Sequence, residues 1–598
     1  MFCRPRQDRP HGERLPVTRK TLLFSSLCAL ALAGCATVLA TPSTTADAAA
    51  PGAPTAAAGD WNGFVKSTID KWFAIDPAFA VYEGAHAYDG KLPDWSEAGL
   101  KAKGDFLRAV IADAGAYTGL TKAQAFERDY LVMVAKGQLF WLEDADQPHH
   151  NPEYYTNGGL DPNVYVSRAY TDKPTRMKAM IAFFKAVPAA AQAVRANLRA
   201  PMPASYVKLG AEAFAGYADY YKGDARAAFA DVADPALQAE FKTSSQAASD
   251  SMAGLAQWME AQKAGATQDF AMGPERFSRM LLATEGVDVP LAELVRVGQA
   301  DLARNTAAIR EACARYAPGK TIQQCVARMN SDKPKDGPVA EARRQIPALV
   351  AFVKARDVLT IPGDKMAQVE ESPPYNRANS AYMDPPGPLE ANGSSIYYIS
   401  PPDPTWSKAM QDDYIPGKSD LLFTTVHEVM PGHYLQFLHS NAAASPVGQL
   451  FVGYAFAEGW AHYTEEMMWE AGLGDGAPEL HIGQLTNALL RNCRFLSAIG
   501  LHSGTMTQAQ SKRMFIDQCF IDEGNAEQQA ARGTYDPAYL NYTLGKLMIR
   551  KLREDWTATR GGRAAWKQFH DEFLSYGGPP IPLVRQAMMG EDTPRAVF

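Results

Sequence analysis

Apolar residues recur at helical spacing along most of the chain. Over residues 63–75 (GFVKSTIDKWFAI) they share one face, and the pattern stops at Asp76-Pro77. Residues 122–142, 175–198, 206–221, 234–264 and 290–316 follow the same pattern. Several of these stretches open at Asp or Pro and close near Gly or Pro, as helix ends do. Residues 365–404 depart from it: they are rich in Pro, Tyr, Asn and Gly and hold one β-like run, 395–400 (SIYYIS). Helical patterning returns over 420–470 and from 485 onward, with no tandem repeat. The expectation is a mainly α fold with a small β element just ahead of the segment that carries the candidate chemistry.

Length changes this picture in one respect. A chain of 598 residues exceeds what one hydrophobic core usually serves, so two lobes are expected: an N-terminal helical region over 60–364 and a metal-binding region over 365–598. Hydrophobic residues make up 46%, enough for a buried core. The net charge of -7 and the lack of a long basic run argue against nucleic acid as a partner.

The N-terminus has the form of a targeting segment. Arg19 and Lys20 precede an apolar stretch, 21–33, too short to span a bilayer. Leu32-Ala33-Gly34-Cys35 then resembles a bacterial lipobox. On that reading residues 1–34 are a signal peptide, Cys35 carries the lipid anchor, and 35–59, rich in Ala, Thr, Pro and Ser, form a flexible tether. Ala36 stands where an Asp would retain a lipoprotein in the inner membrane, so a periplasm-facing outer-membrane lipoprotein is expected. The other reading is an ordinary secretory signal cut near Ala40. Four further cysteines permit two local disulfides, Cys313–Cys325 and Cys493–Cys519, or four buried thiols.

The candidate chemistry lies in residues 421–436 (LLFTTVHEVMPGHYLQ). His427-Glu428 sits in an apolar helical run, His433 follows six residues on, and Glu458 comes later in 457–463 (AEGWAHY). A catalytic zinc needs three protein ligands and an open position, and two His with one Glu make such a set. The Glu beside the first His then serves as general base. Six residues correspond to about 600° of helical rotation, leaving His433 roughly 120° off the His427 face. A regular helix cannot present both to one ion. Pro431 lacks an N–H and clashes with the carbonyl four residues back, and Gly432 permits unusual backbone angles, so the helix should break between the two histidines. His462, Glu465, Glu466 and His439 are alternative third ligands. His462 shares a face with Glu458, which suits a supporting role, whereas Glu465 and Glu466 look like a solvated face.

These motifs, with YTLGKLMIRKLR near the C-terminus, DPAFAVYEGAHAYDGKLPDWS near the start, and GPERFSRMLL and LAELVRVGQADLARN between, resemble the bacterial family known as domain of unknown function 885. The resemblance covers most of the chain from about Gly63. It implies a helical, two-lobed, gluzincin-like metallopeptidase with the β element beside an active-site cleft, acting on short peptides with zinc as cofactor. It further implies that His502 and Tyr542 stabilise an oxyanion, although the chain has Ala498-Ile499-Gly500 where relatives would carry an acid ahead of the histidine. Arg491 and Arg494, three residues apart on one face, could clamp a peptide carboxylate or pair with structural acids. Tyr397 and Tyr398, in 395–400, are candidates for holding substrate by strand addition. Two rival readings remain open: a non-catalytic metal- or peptide-binding lipoprotein, which needs no Glu428, and a two-His-one-carboxylate iron oxygenase, which a helical chain argues against.

Overall fold

Asp60, Asp172 and Asp234 each accept hydrogen bonds from the first N–H groups of the helix they precede, Trp61–Ile75, Lys173–Asn197 and Pro235–Ala261. These caps sit within a few residues of the boundaries expected from the sequence, as do Lys122–Leu139, Ala204–Lys222 and Leu291–Tyr316. The computed structural model describes residues 60–598 apart from 374–376, 378–379 and 391–392. The signal peptide, the tether and Cys35 lie outside the described residues.

Mainly helical architecture is observed. Residues 60–598 fall within one compact unit whose interior divides into two hydrophobic clusters. One joins Trp72, Leu107, Phe184, Phe214 and Met252 with Val447, Leu450 and Phe451. The other runs from Phe277 and Leu294 to Trp556 and Phe573. The first cluster is built mainly from residues up to Met259 and the second mainly from Phe277 onward, with Phe140 joining the second and Val447, Leu450, Phe451 and Leu583 the first. Helix Leu291–Tyr316 packs along helix Pro478–His502 and belongs with the candidate site. Lys173–Asn197 is long and apolar enough to cross a membrane by length and composition, yet it buries Met177, Met180, Phe183 and Phe184 in the first cluster.

Four helices around the site meet at an ionic hub. Lys546, on helix Asn541–Ala558, lies 2.6 Å from Asp301 on helix Leu291–Tyr316 and 3.5 Å from Glu466 on helix Tyr454–Glu470. Asn492, on helix Pro478–His502, donates to the same Asp301 oxygen at 2.8 Å. Such a buried cluster tolerates charge only because each member is paired. Gly459 and Gly545 let two of these helices touch: a Cβ on Gly545 would sit 2.0 Å from the Ala455 carbonyl oxygen.

The β element is a three-stranded sheet, β1 (Gln368–Glu371), β2 (Ala381–Asp384) and β3 (Ile396–Ile399), in the order β1-β3-β2. β3 pairs parallel with β1 and antiparallel with β2. The expected strand is therefore present but central, with both edges occupied, so it cannot accept a substrate strand. Tyr397 and Tyr398 are buried on this central strand, so neither holds a substrate by strand addition. Both cysteine pairs are bonded, Cys313 to Cys325 and Cys493 to Cys519.

Candidate metal centre

Helix Lys418–Glu428 stops at Glu428, and a new helix, His433–Asn441, begins at His433. Between them Gly432 adopts φ -76° and ψ -130°, and its N–H donates to the Val426 carbonyl at 2.9 Å. A Cβ there would sit 1.8 Å from the His427 carbonyl oxygen, so only glycine fits. Trp460 fixes the break from the facing helix, its Nε1–H donating to the Pro431 carbonyl at 2.9 Å. The Pro-Gly interruption read from the sequence is where the helix ends.

This break brings the three candidate ligands together. His427 Nε2 lies 3.2 Å and His433 Nε2 3.3 Å from the same oxygen, Oε2 of Glu458. The two imidazoles are nearly perpendicular, with ring centroids 4.8 Å apart, and the donor atoms lie within 4.8 Å of one another. Tetrahedral zinc ligands at their usual bond lengths stand about 3.3 Å apart, so this nitrogen–nitrogen–oxygen set fits an ion of that size and preference. Burial raises the Glu458 carboxyl, but the His433 and His427 imidazoles outweigh it and hold the group well below its usual value.

Behind His427 lies a carboxylate that sequence reasoning assigned to a solvated face. Glu465 is fully buried, and its Oε1 is 2.7 Å from His427 Nδ1. It accepts a hydrogen bond from Nδ1–H, which leaves the Nε2 lone pair free for a metal beside Glu458. Burial opposes the Glu465 charge, but Arg491, 3.4 Å away, and His462, 3.5 Å away, hold it ionised far below its ordinary range. His462 is thus a neighbour of Glu465 and not a ligand, and burial pushes its pKa down to about 4. For His427, burial and Arg491 oppose protonation, and the hydrogen bonds to Glu458 and Glu465 overcome them, moving it up to about 9. Glu466 is also buried, in the ionic hub. The overlooked signal was spacing: Glu458, His462 and Glu465 fall within about 60° of one another around the helix.

Glu428 is 8% exposed, beside His427, and its carboxylate forms no hydrogen bond among the described residues. Tyr542 stacks on His427 at 6.3 Å between ring centroids, within 19° of parallel. Burial, reinforced by the Glu458 charge, raises its phenol pKa. Arg491 is committed to Glu465 and to Asn487, whereas Arg494 donates through Nε to Gln529 Oε1 at 2.7 Å. His502 is not brought to this centre. It ends the helix that carries Arg491, eleven residues and about 16 Å further along. There it is fully buried, bonded through Nε2 to the Gly533 carbonyl (2.8 Å) and stacked on Phe277. Burial lowers its pKa to about 4, and its oxyanion role is withdrawn. His439 bonds to the Thr360 carbonyl and is likewise no ligand.

A cavity of about 520 Å³ reaches Glu458. Its lining residues include Tyr82, Tyr130, Trp141 and Phe451, with Glu83 and Glu285.

The family described as "Bacterial protein of unknown function (DUF885)" matches residues 77–588. A candidate lipoprotein of unknown function from Shewanella oneidensis is similar in structure, with a TM-score of 0.73 and 25% identity over 89% of this chain and 100% of that one. A candidate lipoprotein from Colwellia psychrerythraea has a TM-score of 0.73 and 16% identity over 89% of this chain and 98% of that one, a likeness of fold. No curated protein matches the sequence.

Proposed function

This chain belongs to the bacterial family of unknown function DUF885, and we propose that it is a zinc-dependent peptidase of gluzincin type acting on short peptides. One observation carries the reading: two imidazole nitrogens and one carboxylate oxygen converge while a second, unbonded carboxylate stands beside the first histidine. His427, His433 and Glu458 would hold a zinc ion, which would supply Lewis-acid activation of water and carbonyl. Glu428 accepts the proton of the attacking water and later delivers it to the leaving amine. The Tyr542 hydroxyl donates to the oxyanion that develops at the scissile carbonyl. Glu465 fixes the His427 tautomer, and Arg491 keeps Glu465 ionised.

A non-catalytic binding role requires the three ligands but gives no reason for Glu428, so the peptidase reading is preferred. The candidate lipoprotein from Shewanella oneidensis of similar structure supports a cell-envelope location; an anchor on Cys35, facing the periplasm from the outer membrane, is proposed from the sequence motif alone. Hydrolysis of a peptide library by the purified protein, with and without a chelator, tests the function. Cleavage that chelation abolishes and zinc restores is expected. Absence of cleavage by zinc-replete protein, or cleavage indifferent to chelation, rejects it.

A further inference from the structure

Arg494 stands beside the candidate centre without a countercharge. It lies one turn beyond Arg491 on helix Pro478–His502 and is 9% exposed. Its Cζ sits 4.9 Å from the Tyr542 ring centroid, the same ring that stacks on His427. Three guanidiniums crowd this place. Arg491 is neutralised by Glu465, and Arg532 by Asp536 at 2.8 Å. Among the described residues no carboxylate pairs with Arg494, neither Nη atom has a hydrogen-bond partner, and neither is sealed from solvent. Burial, and then the charges of Arg532 and Arg491, push its pKa below the usual arginine value. A guanidinium nine-tenths buried, with its planar fork open and its charge uncompensated, is a receptor for an anion from outside.

The cavity at Glu458 has the opposite character. Among its described lining residues there is no Lys or Arg, and burial raises the carboxyls of Glu83 and Glu285 in its wall to about 8, which keeps both neutral. A carboxylate finds a cationic partner at Arg494 and none in the cavity, which suits apolar side chains. We propose that Arg494 receives the C-terminal carboxylate of a peptide lying across the centre, so that the protein trims peptides from the carboxyl end. Arg491 has no part in this contact, because Glu465 occupies it. The inference rests on the peptidase reading and adds the direction of cleavage.

The test uses a library of unstructured tri- to pentapeptides, each made as the free acid and as the C-terminal amide. The full-length zinc-loaded protein should cleave free acids with kcat/KM roughly a hundredfold above their amides. Arg494→Met keeps packing against Tyr542, and it should bring the free-acid to amide ratio of kcat/KM down towards one, through a raised KM for free acids. Arg494→Lys, which retains charge without the fork, should restore part of it and guards against a folding defect in the Met variant. Calorimetric binding of the same peptides to zinc-loaded Glu428→Gln separates the two claims. Carboxylate preference that depends on Arg494, together with a zinc-loaded wild type that hydrolyses none of these peptides, supports the anchor and rejects the peptidase. Hydrolysis without preference for a free carboxylate, or a preference unaffected by Arg494→Met, overturns the anchor.

Discussion

Glu465 Oε1 lies 2.7 Å from His427 Nδ1, and the pair is sealed from solvent on its far side by Arg491 and His462. This orients the ring and raises the basicity of Nε2, the atom turned toward Glu458. Glu465→Gln keeps the shape but removes the charge. It should lower zinc affinity roughly 10- to 100-fold, measured by competition with a chromogenic chelator. Unchanged affinity would show that Glu465 merely fills space.

The helix break depends on Gly432. Because a Cβ there would meet backbone oxygens of His427 and Val426 at 1.8 and 2.5 Å, the chain itself must move. Gly432→Ala should cost about 3 kcal/mol or more and displace His433 from Glu458. The check is denaturant unfolding together with zinc stoichiometry. A stable variant that binds one zinc would mean that the break does not set the ligand geometry.

Tyr542 and His502 were paired by the family resemblance but have different surroundings. Tyr542→Phe retains the ring beneath Arg494 and loses only the hydroxyl. It should lower kcat roughly 10²- to 10³-fold with zinc content unchanged. His502→Phe should reduce thermal stability, since it breaks the bond to Gly533, while turnover per folded molecule is kept. The reverse pattern in steady-state kinetics would restore His502 to the chemistry.

Glu285 provides a pH-dependent signature of the cavity wall. It is 2% exposed, and burial raises its pKa to about 8 although Asn541 donates to it at 2.8 Å. Folded Glu285 holds its proton while unfolded Glu285 releases it near 4.5, so its contribution to stability is complete below 4.5 and is lost as pH rises towards 8. Glu285→Gln has no proton to lose. Relative to the wild type it should gain stability between pH 4.5 and 8, by up to about 5 kcal/mol, and level off above. Urea unfolding of both proteins across this range measures the difference, and a flat difference contradicts the assignment.

Much of this was legible beforehand, for identifiable reasons. Helices such as Trp61–Ile75 and Pro235–Ala261 announce themselves by apolar period and capping Asp. Pro431-Gly432 inside an apolar run signals a break because neither residue continues a helix between two histidines. The buried state of Glu465 and Glu466 was not legible, because two adjacent acids look solvated until Arg491, Lys546 and Arg304 arrive from other helices. β1 and β2 are four residues each and lie in a Pro-rich stretch, so their pairing on β3 depends on tertiary contact. The place of helix Leu291–Tyr316 in the second cluster also follows from long-range packing, on helix Pro478–His502, and no composition shift marks it.

Glu428→Gln, assayed in one preparation for zinc content and for peptide hydrolysis, tests the central claim most directly. The account predicts one zinc per chain, as in the wild type, with hydrolysis reduced to the background of the metal-free protein. Hydrolysis at the wild-type rate, or a protein that binds no zinc with His427, His433 and Glu458 intact, would contradict it.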